Sequence, residues 1–94
     1  MHTWLKISGR VQGVGFRAHV RQIALSLKIN GWARNEPDDS VLVLVCASPA
    51  AASAFVRRIS GIHHLIGPDV KKVEIIKSEK TLGNCEHASF LILG

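Results

Sequence analysis

Apolar and polar residues alternate from Thr3 to Ser8, with Leu5 and Ile7 on one face, which predicts a first strand. The period then changes. Phe16, Val20, Ile23, Ala24 and Leu27 recur at helical spacing and predict an amphipathic helix, with Arg17, Arg21 and Lys28 off its buried face. Asn30–Gly31 reads as the stop of that helix. Trp32 to Asn35 and Val41 to Val45 read as two more strands, joined by a turn at Pro37-Asp38-Asp39-Ser40. Ser48 is a suitable N-cap with Pro49 at the first helical position. Ala52, Phe55, Val56 and Ile59 then form the apolar face of a second helix that stops near Gly61. Val70 to Lys77 makes a fourth strand. Ala88 to Leu93 makes a fifth, or a continuation after a loop holding Gly83 and Asn84.

Strand, helix, strand, strand, helix, strand is the order of the ferredoxin-like split βαβ sandwich, an α+β fold. It predicts two helices on one face of an antiparallel sheet of four or five strands. The run Val41-Leu42-Val43-Leu44-Val45 is apolar on both faces, so one face meets the helices and the other lies on the open side of the sheet. Trp4, of opposite parity to Leu5 and Ile7, is expected on that open side, where an apolar patch permits self-association of an otherwise monomeric chain. Trp32 is assigned to core packing near the loop described below.

At 94 residues the chain is expected to be one domain, residues 1–94. Its hydrophobic content of 47% fits a globular protein, and no apolar run approaches the roughly 18 residues of a membrane span. The N-terminus shows no apolar signal stretch, so a soluble, cytoplasmic protein is expected. Twelve Lys and Arg against seven Asp and Glu give a net charge of +5, which favours anionic partners without choosing among them. Cys46 and Cys85 are expected to be two thiols in that compartment.

The informative segment is Gly9-Arg10-Val11-Gln12-Gly13-Val14-Gly15-Phe16-Arg17, between a strand and a helix start. Backbone N–H groups there lack intrahelical partners, and the helix dipole favours an anion. Glycines at 13 and 15 allow successive N–H groups to converge on an oxyanion. A cation such as Arg17 in the first helical turn is disfavoured by the dipole until an anion arrives, and its planar fork suits phosphate. Neither G-x-x-x-x-G-K-[ST] nor G-x-G-x-x-G is present. On physical grounds alone the segment is equally a tight strand-to-helix turn carrying an exposed arginine.

The same nine residues match in full the acylphosphatase pattern G-x-V-Q-G-V-x-[FY]-R. Gly31-Trp32-Ala33-Arg34-Asn35 resembles the start of that family's second signature, at a similar interval. The resemblance covers nearly the whole chain. It implies hydrolysis of the carboxyl–phosphate bond of small acyl phosphates, with no cofactor and no metal. It also implies that Arg17 binds the phosphoryl group, that Gln12, Gly13, Val14, Gly15 and Phe16 cradle it through their backbone, and that Asn35 orients the attacking water. The chemistry agrees, because an acyl phosphate has a good leaving group and asks mainly for charge neutralisation and positioning. Glu36 should face away from Asn35, which leaves the substrate's own phosphate to take the proton. The family pattern carries glycine where this chain has Asp39 and Ala47. Asp39 is therefore expected at positive φ, in a less stable turn.

The alternative within the resemblance is a module that binds phosphate or carbamoyl phosphate without turnover. An RNA-binding domain of the same topology is set aside, because the third strand has no aromatic residue and the chain has no tyrosine. No nucleic-acid or membrane partner is expected. His63–His64 lie past the second helix without a further ligand at metal spacing, and His19 reads as a surface residue.

Overall fold

The computed structural model describes residues 1–80 and 89–93. Its elements are β1 (His2–Arg10), α1 (Phe16–Ser26), β2 (Asn30–Asn35), β3 (Val41–Cys46), α2 (Pro49–Ser60), β4 (Asp69–Glu79) and β5 (Phe90–Leu93). The five strands form one sheet in the order β4-β1-β3-β2-β5. Both helices pack on the same face of it, as the element order predicts for a ferredoxin-like α+β fold.

One part of that expectation needs correction. β5 pairs parallel with β2, from Gly31–Phe90 to Arg34–Leu93, so the sheet is mixed and not antiparallel. The reason lies in strand direction. β4 runs antiparallel to β1, and β1 and β2 each run antiparallel to β3. A final strand that reverses direction after β4 must then run with β2.

The helix-side face of the sheet is built from Leu5 and Ile7 of β1, Val41, Val43 and Val45 of β3, and Ala33 of β2, all buried. Against it α1 places Phe16, Val20, Ile23 and Ala24, and α2 places Ala52, Phe55 and Ile59. Phe90 closes the layer, its ring 6.5 Å from that of Phe55. Full burial of a side chain of this size stabilises by roughly 1.5–3 kcal/mol, so the three buried phenylalanines do much to hold the two layers together. Ser48 caps α2 as expected, accepting the Ala51 N–H at 3.2 Å.

On the open face Trp4 stands opposite Leu44, and Leu44 opposite Trp32, in one row across the sheet. Trp4 thus lies where its parity places it. Trp32 does not pack into the core: it is half-buried on the open side, with the Arg34 guanidinium 5.2 Å from its ring. Lys77 sits 5.0 Å from the Trp4 ring in the same manner.

The helix stop is also displaced from its expected position. α1 ends at Ser26, and Lys28 takes the left-handed conformation, with φ 56°. Ile29 N–H then closes the helix by donating to Ala24 O at 2.8 Å. Asn30 and Gly31 already belong to β2. Gly31 is needed for a different reason, since a Cβ there would lie 1.9 Å from the Leu44 carbonyl oxygen.

Cys46 is disulfide-bonded, which corrects the expectation of two thiols. The chain's other cysteine, Cys85, lies outside the described residues, as do Gly83, Asn84 and Ala88.

Candidate active site

β1 and β2 each run antiparallel to β3, and β5 runs parallel to β2. The C-terminal ends of β1, β2 and β5 therefore share one edge of the sheet. That edge gathers the loop after β1, the start of α1, Asn35 and Leu93.

In the loop, Gly13 and Gly15 both take left-handed backbone conformations, with φ of 72° and 75°. No heavy atom lies within 4 Å of where a Cβ would sit on either one. Conformation, and not crowding, is what demands glycine at these positions. Gly15 is the N-cap of α1 and has no side-chain oxygen to offer, and no acidic residue occupies the first turn. The leading amides of α1 thus have no side-chain cap, and the positive end of the helix faces an unopposed site. Phe16 contributes to this from below. Its buried ring anchors the first turn in the core while its backbone stays at the loop.

Arg17 is positioned by the far end of the chain. Its Nη1 donates to the Leu93 carbonyl at 2.8 Å, and one turn further along Arg21 Nε donates to Phe90 O at 3.1 Å. Both carbonyls belong to β5, so two arginines of α1 tie that helix to the last strand of the sheet. A cleft of about 210 Å³ results, lined by Gly13, Gly15, Phe16 and Arg17 together with Val11, Ala18 and Ile92.

Asn35 shares the helix-side parity of Ala33 and sits at the end of β2, opposite Val41. It is not among the residues lining that cleft. Its Oδ1 is buried and has no hydrogen-bond partner among the described residues, an arrangement that costs about 1–3 kcal/mol unless a further group completes it. Glu36, the neighbouring carboxylate, is turned to the open side, where its Oε1 accepts from Arg34 Nη2 at 3.0 Å. No carboxylate is thereby brought to Asn35 from its own strand.

The link between loop and hairpin is the side chain of Gln12. Its Nε2 donates to Glu36 O and to Ser40 O, each at 2.8 Å. The hairpin it grips is itself braced. Asp38 Oδ2 lies 2.7 Å from Lys6 Nζ, and Asp38 Oδ1 accepts from both the hydroxyl and the backbone N–H of Ser40. These contacts, the Lys6 ammonium first and then Ser40, hold the Asp38 carboxyl far below the usual carboxylate range. Asp39 has φ 71°, the positive value expected from the missing glycine.

Of the residues singled out in the sequence, Gly13, Gly15, Phe16 and Arg17 meet at one cleft, while Gln12 reaches the carbonyls of Glu36 and Ser40 in the hairpin that follows Asn35. Val14 packs half-buried against the core. Ile92 and the Leu93 carbonyl escaped sequence reasoning, because nothing local marks residues so distant in sequence, 76 positions away for Leu93, as neighbours of Arg17. His19 lies with its ring 6.0 Å from that of His64, and His63 pairs with Asp69 at 3.1 Å. No cluster of three metal-ligating side chains occurs among the described residues. A larger cleft of about 250 Å³ lies between α2 and β4, toward the opposite end of β1. Its walls are almost wholly apolar, so size alone does not identify the reactive site.

Comparison with known proteins concerns the chain as a whole. The family model described as Acylphosphatase matches residues 4–92. An acylphosphatase of Rhizobium etli is 51% identical over 55 residues, which is 58% of this chain and 58% of that relative. An acylphosphatase of Aliivibrio fischeri is 41% identical over 75 residues, covering 80% of this chain and 78% of the relative. The crystal structure of acylphosphatase from Bacillus subtilis superposes over the full length of both chains with a TM-score of 0.81 and 30% identity.

Proposed function

Since this chain belongs to the acylphosphatase family, we propose that it hydrolyses small acyl phosphates to a carboxylate and inorganic phosphate, with Arg17 and Asn35 as its catalytic residues. The observation that carries this reading is the uncapped start of α1. Two left-handed glycines, a first turn without acid and an arginine tethered to Leu93 converge on one cleft. On this reading residues 1–94 work as a single cytoplasmic domain, as a monomer and without a cofactor.

The phosphoryl oxygens enter the cradle formed by the backbone from Gln12 to Phe16. Arg17 neutralises their charge with the guanidinium nitrogens that Leu93 does not occupy. Asn35 holds the water through its amide, which accepts and donates without titrating. The water oxygen forms a bond to phosphorus as the bond from phosphorus to the acyl oxygen breaks, and the carboxylate departs with that electron pair. The water proton passes to a phosphoryl oxygen. Glu36 is engaged by Arg34 and takes no part. Little acid catalysis is required, because a carboxylate is a good leaving group; positioning and electrostatics do the rest.

Acetyl phosphate turnover, with inorganic phosphate as competitive inhibitor, tests the assignment. Arg17→Ala weakens phosphate inhibition and turnover together, and Arg17→Lys restores little because an ammonium lacks the two-pronged contact. Asn35→Ala lowers kcat by about 10²-fold while the phosphate inhibition constant stays within about threefold. A protein that only bound phosphate would show no such split. A wild-type rate for Asn35→Ala would remove Asn35 from the mechanism.

A further inference from the structure

We propose that Gln12 is a positioning residue: its side chain sets the register of Asn35 against the phosphate loop, and so aligns water with phosphorus. The inference rests on the water-holding role given above to Asn35. Its ground is the pair of 2.8 Å bonds from Gln12 Nε2 to Glu36 O and Ser40 O, across 24 and 28 positions of sequence.

Those two carbonyls are not arbitrary points on the hairpin. Glu36 directly follows Asn35, and Ser40 directly precedes Val41, the cross-strand partner of Asn35. Each carbonyl already accepts one backbone bond, Ser40 O from Glu36 N at 2.9 Å and Glu36 O from Asp39 N at 3.2 Å. Gln12 fills the second acceptor site of both. One planar carboxamide, using both of its N–H groups, thus pins the mouth of the hairpin at the residue next to Asn35.

At its other end Gln12 is continuous with the loop. Gly13, Val14 and Gly15 follow it, and Gly15 caps α1. Without the Gln12 amide, the described contacts leave the loop and the hairpin mouth joined only through the sheet and core beneath them. Attack in line tolerates little error, and a displacement of about 1 Å can cost about 10²-fold in rate. Phosphate binding, by contrast, uses groups on the loop and α1 alone. Loss of the Gln12 bonds therefore lowers turnover and spares phosphate affinity. Loss of a cradle group would lower both.

A double-mutant cycle distinguishes these outcomes. Gln12→Met keeps the length and apolar stem of the side chain and removes its donors; Gln12→Ala serves as the second variant. Wild type, each Gln12 variant, Asn35→Ala and the double variants are compared for acetyl phosphate kcat and for the phosphate inhibition constant. Gln12→Met is expected to lower kcat about tenfold with phosphate inhibition within about twofold. In the Asn35→Ala background the same change is expected to cost less than about twofold, because the group it positions is already gone. Retention of the full tenfold loss in that background overturns the proposal. So does a proportional weakening of phosphate inhibition, which would make Gln12 part of the cradle, and so does an unchanged kcat. A wild-type rate for Asn35→Ala alone overturns the water-holding role and this proposal with it. Loss in Asn35→Ala with additive Gln12 effects overturns only this proposal.

Discussion

Arg17 Nη1 donates to the carbonyl oxygen of Leu93 at 2.8 Å, joining the first turn of α1 to the end of β5. The guanidinium that faces the cleft is thereby held by backbone from the opposite end of the sequence. Its orientation is set before any anion arrives, which reduces the ordering cost of binding.

A chain ending at Ile92 tests that tether. It keeps Phe90 in the core but loses the Leu93 carbonyl. We expect a cooperative thermal melt to persist, with the phosphate inhibition constant raised roughly three- to tenfold and kcat reduced, as suits a loosened binding group. Competitive inhibition of acetyl phosphate hydrolysis measures it. Unchanged inhibition in a folded truncated chain would show that α1 alone orients Arg17.

Gly15→Ala and Gly31→Ala should fail in different ways. At Gly15 a methyl group meets nothing within 4 Å, and only the left-handed backbone opposes it, at about 1–2 kcal/mol. That variant should fold with a lower Tm and bind phosphate less well, since the loop must relax. At Gly31 the methyl would meet backbone, 1.9 Å from Leu44 O, and no side-chain rotation relieves it. We expect no cooperative melt at 25 °C for Gly31→Ala. Comparable melting curves for the two variants would contradict this distinction.

Asp39 occupies φ 71° without being glycine. Asp39→Gly should therefore raise stability by roughly 0.5–1 kcal/mol, visible as a higher Tm. Its effect on kcat should be small, because neither hairpin bond of Gln12 uses the Asp39 side chain.

The Asp38 carboxyl is held below its ordinary range by Lys6 and Ser40. A group depressed on folding adds stability above its unfolded pKa, near 3.9, and loses it as pH falls through the lower folded value. Asp38→Asn should thus be less stable than wild type at neutral pH. Below about pH 4 the two stability curves should converge. Lys6 carries the matching shift, upward, through its bond to Asp38. Its contribution is complete below the unfolded lysine value of about 10.4 and fades as pH rises past the folded one. Denaturant melts across pH give both limbs, and parallel curves in acid would remove Asp38 from the account.

Local chemistry was legible in the chain before any fold was known. The alternation around Leu5 and Ile7, the stripe from Phe16 to Ile23, and the capped start at Ser48 are each dictated by neighbours within about four residues. So are the glycines at 13 and 15, which only a left-handed turn explains, and Arg17 beside them. Asp39 at positive φ was legible only through the glycine that the family pattern carries at its position. Contacts across strands were not. Gly31 looks like a helix stop until β3 is laid beside it, and Trp32 looks like core until the register sets it on the open face opposite Leu44. The parallel placement of β5 follows from the direction of four other strands, which no local pattern encodes. The grip of Leu93 on Arg17 and of Gln12 on Glu36 and Ser40 joins residues 24 to 76 positions apart. A chain's local sequence determines which backbone conformations and faces are favourable. Which donors meet which acceptors is decided only when the sheet closes and brings distant stretches of backbone together.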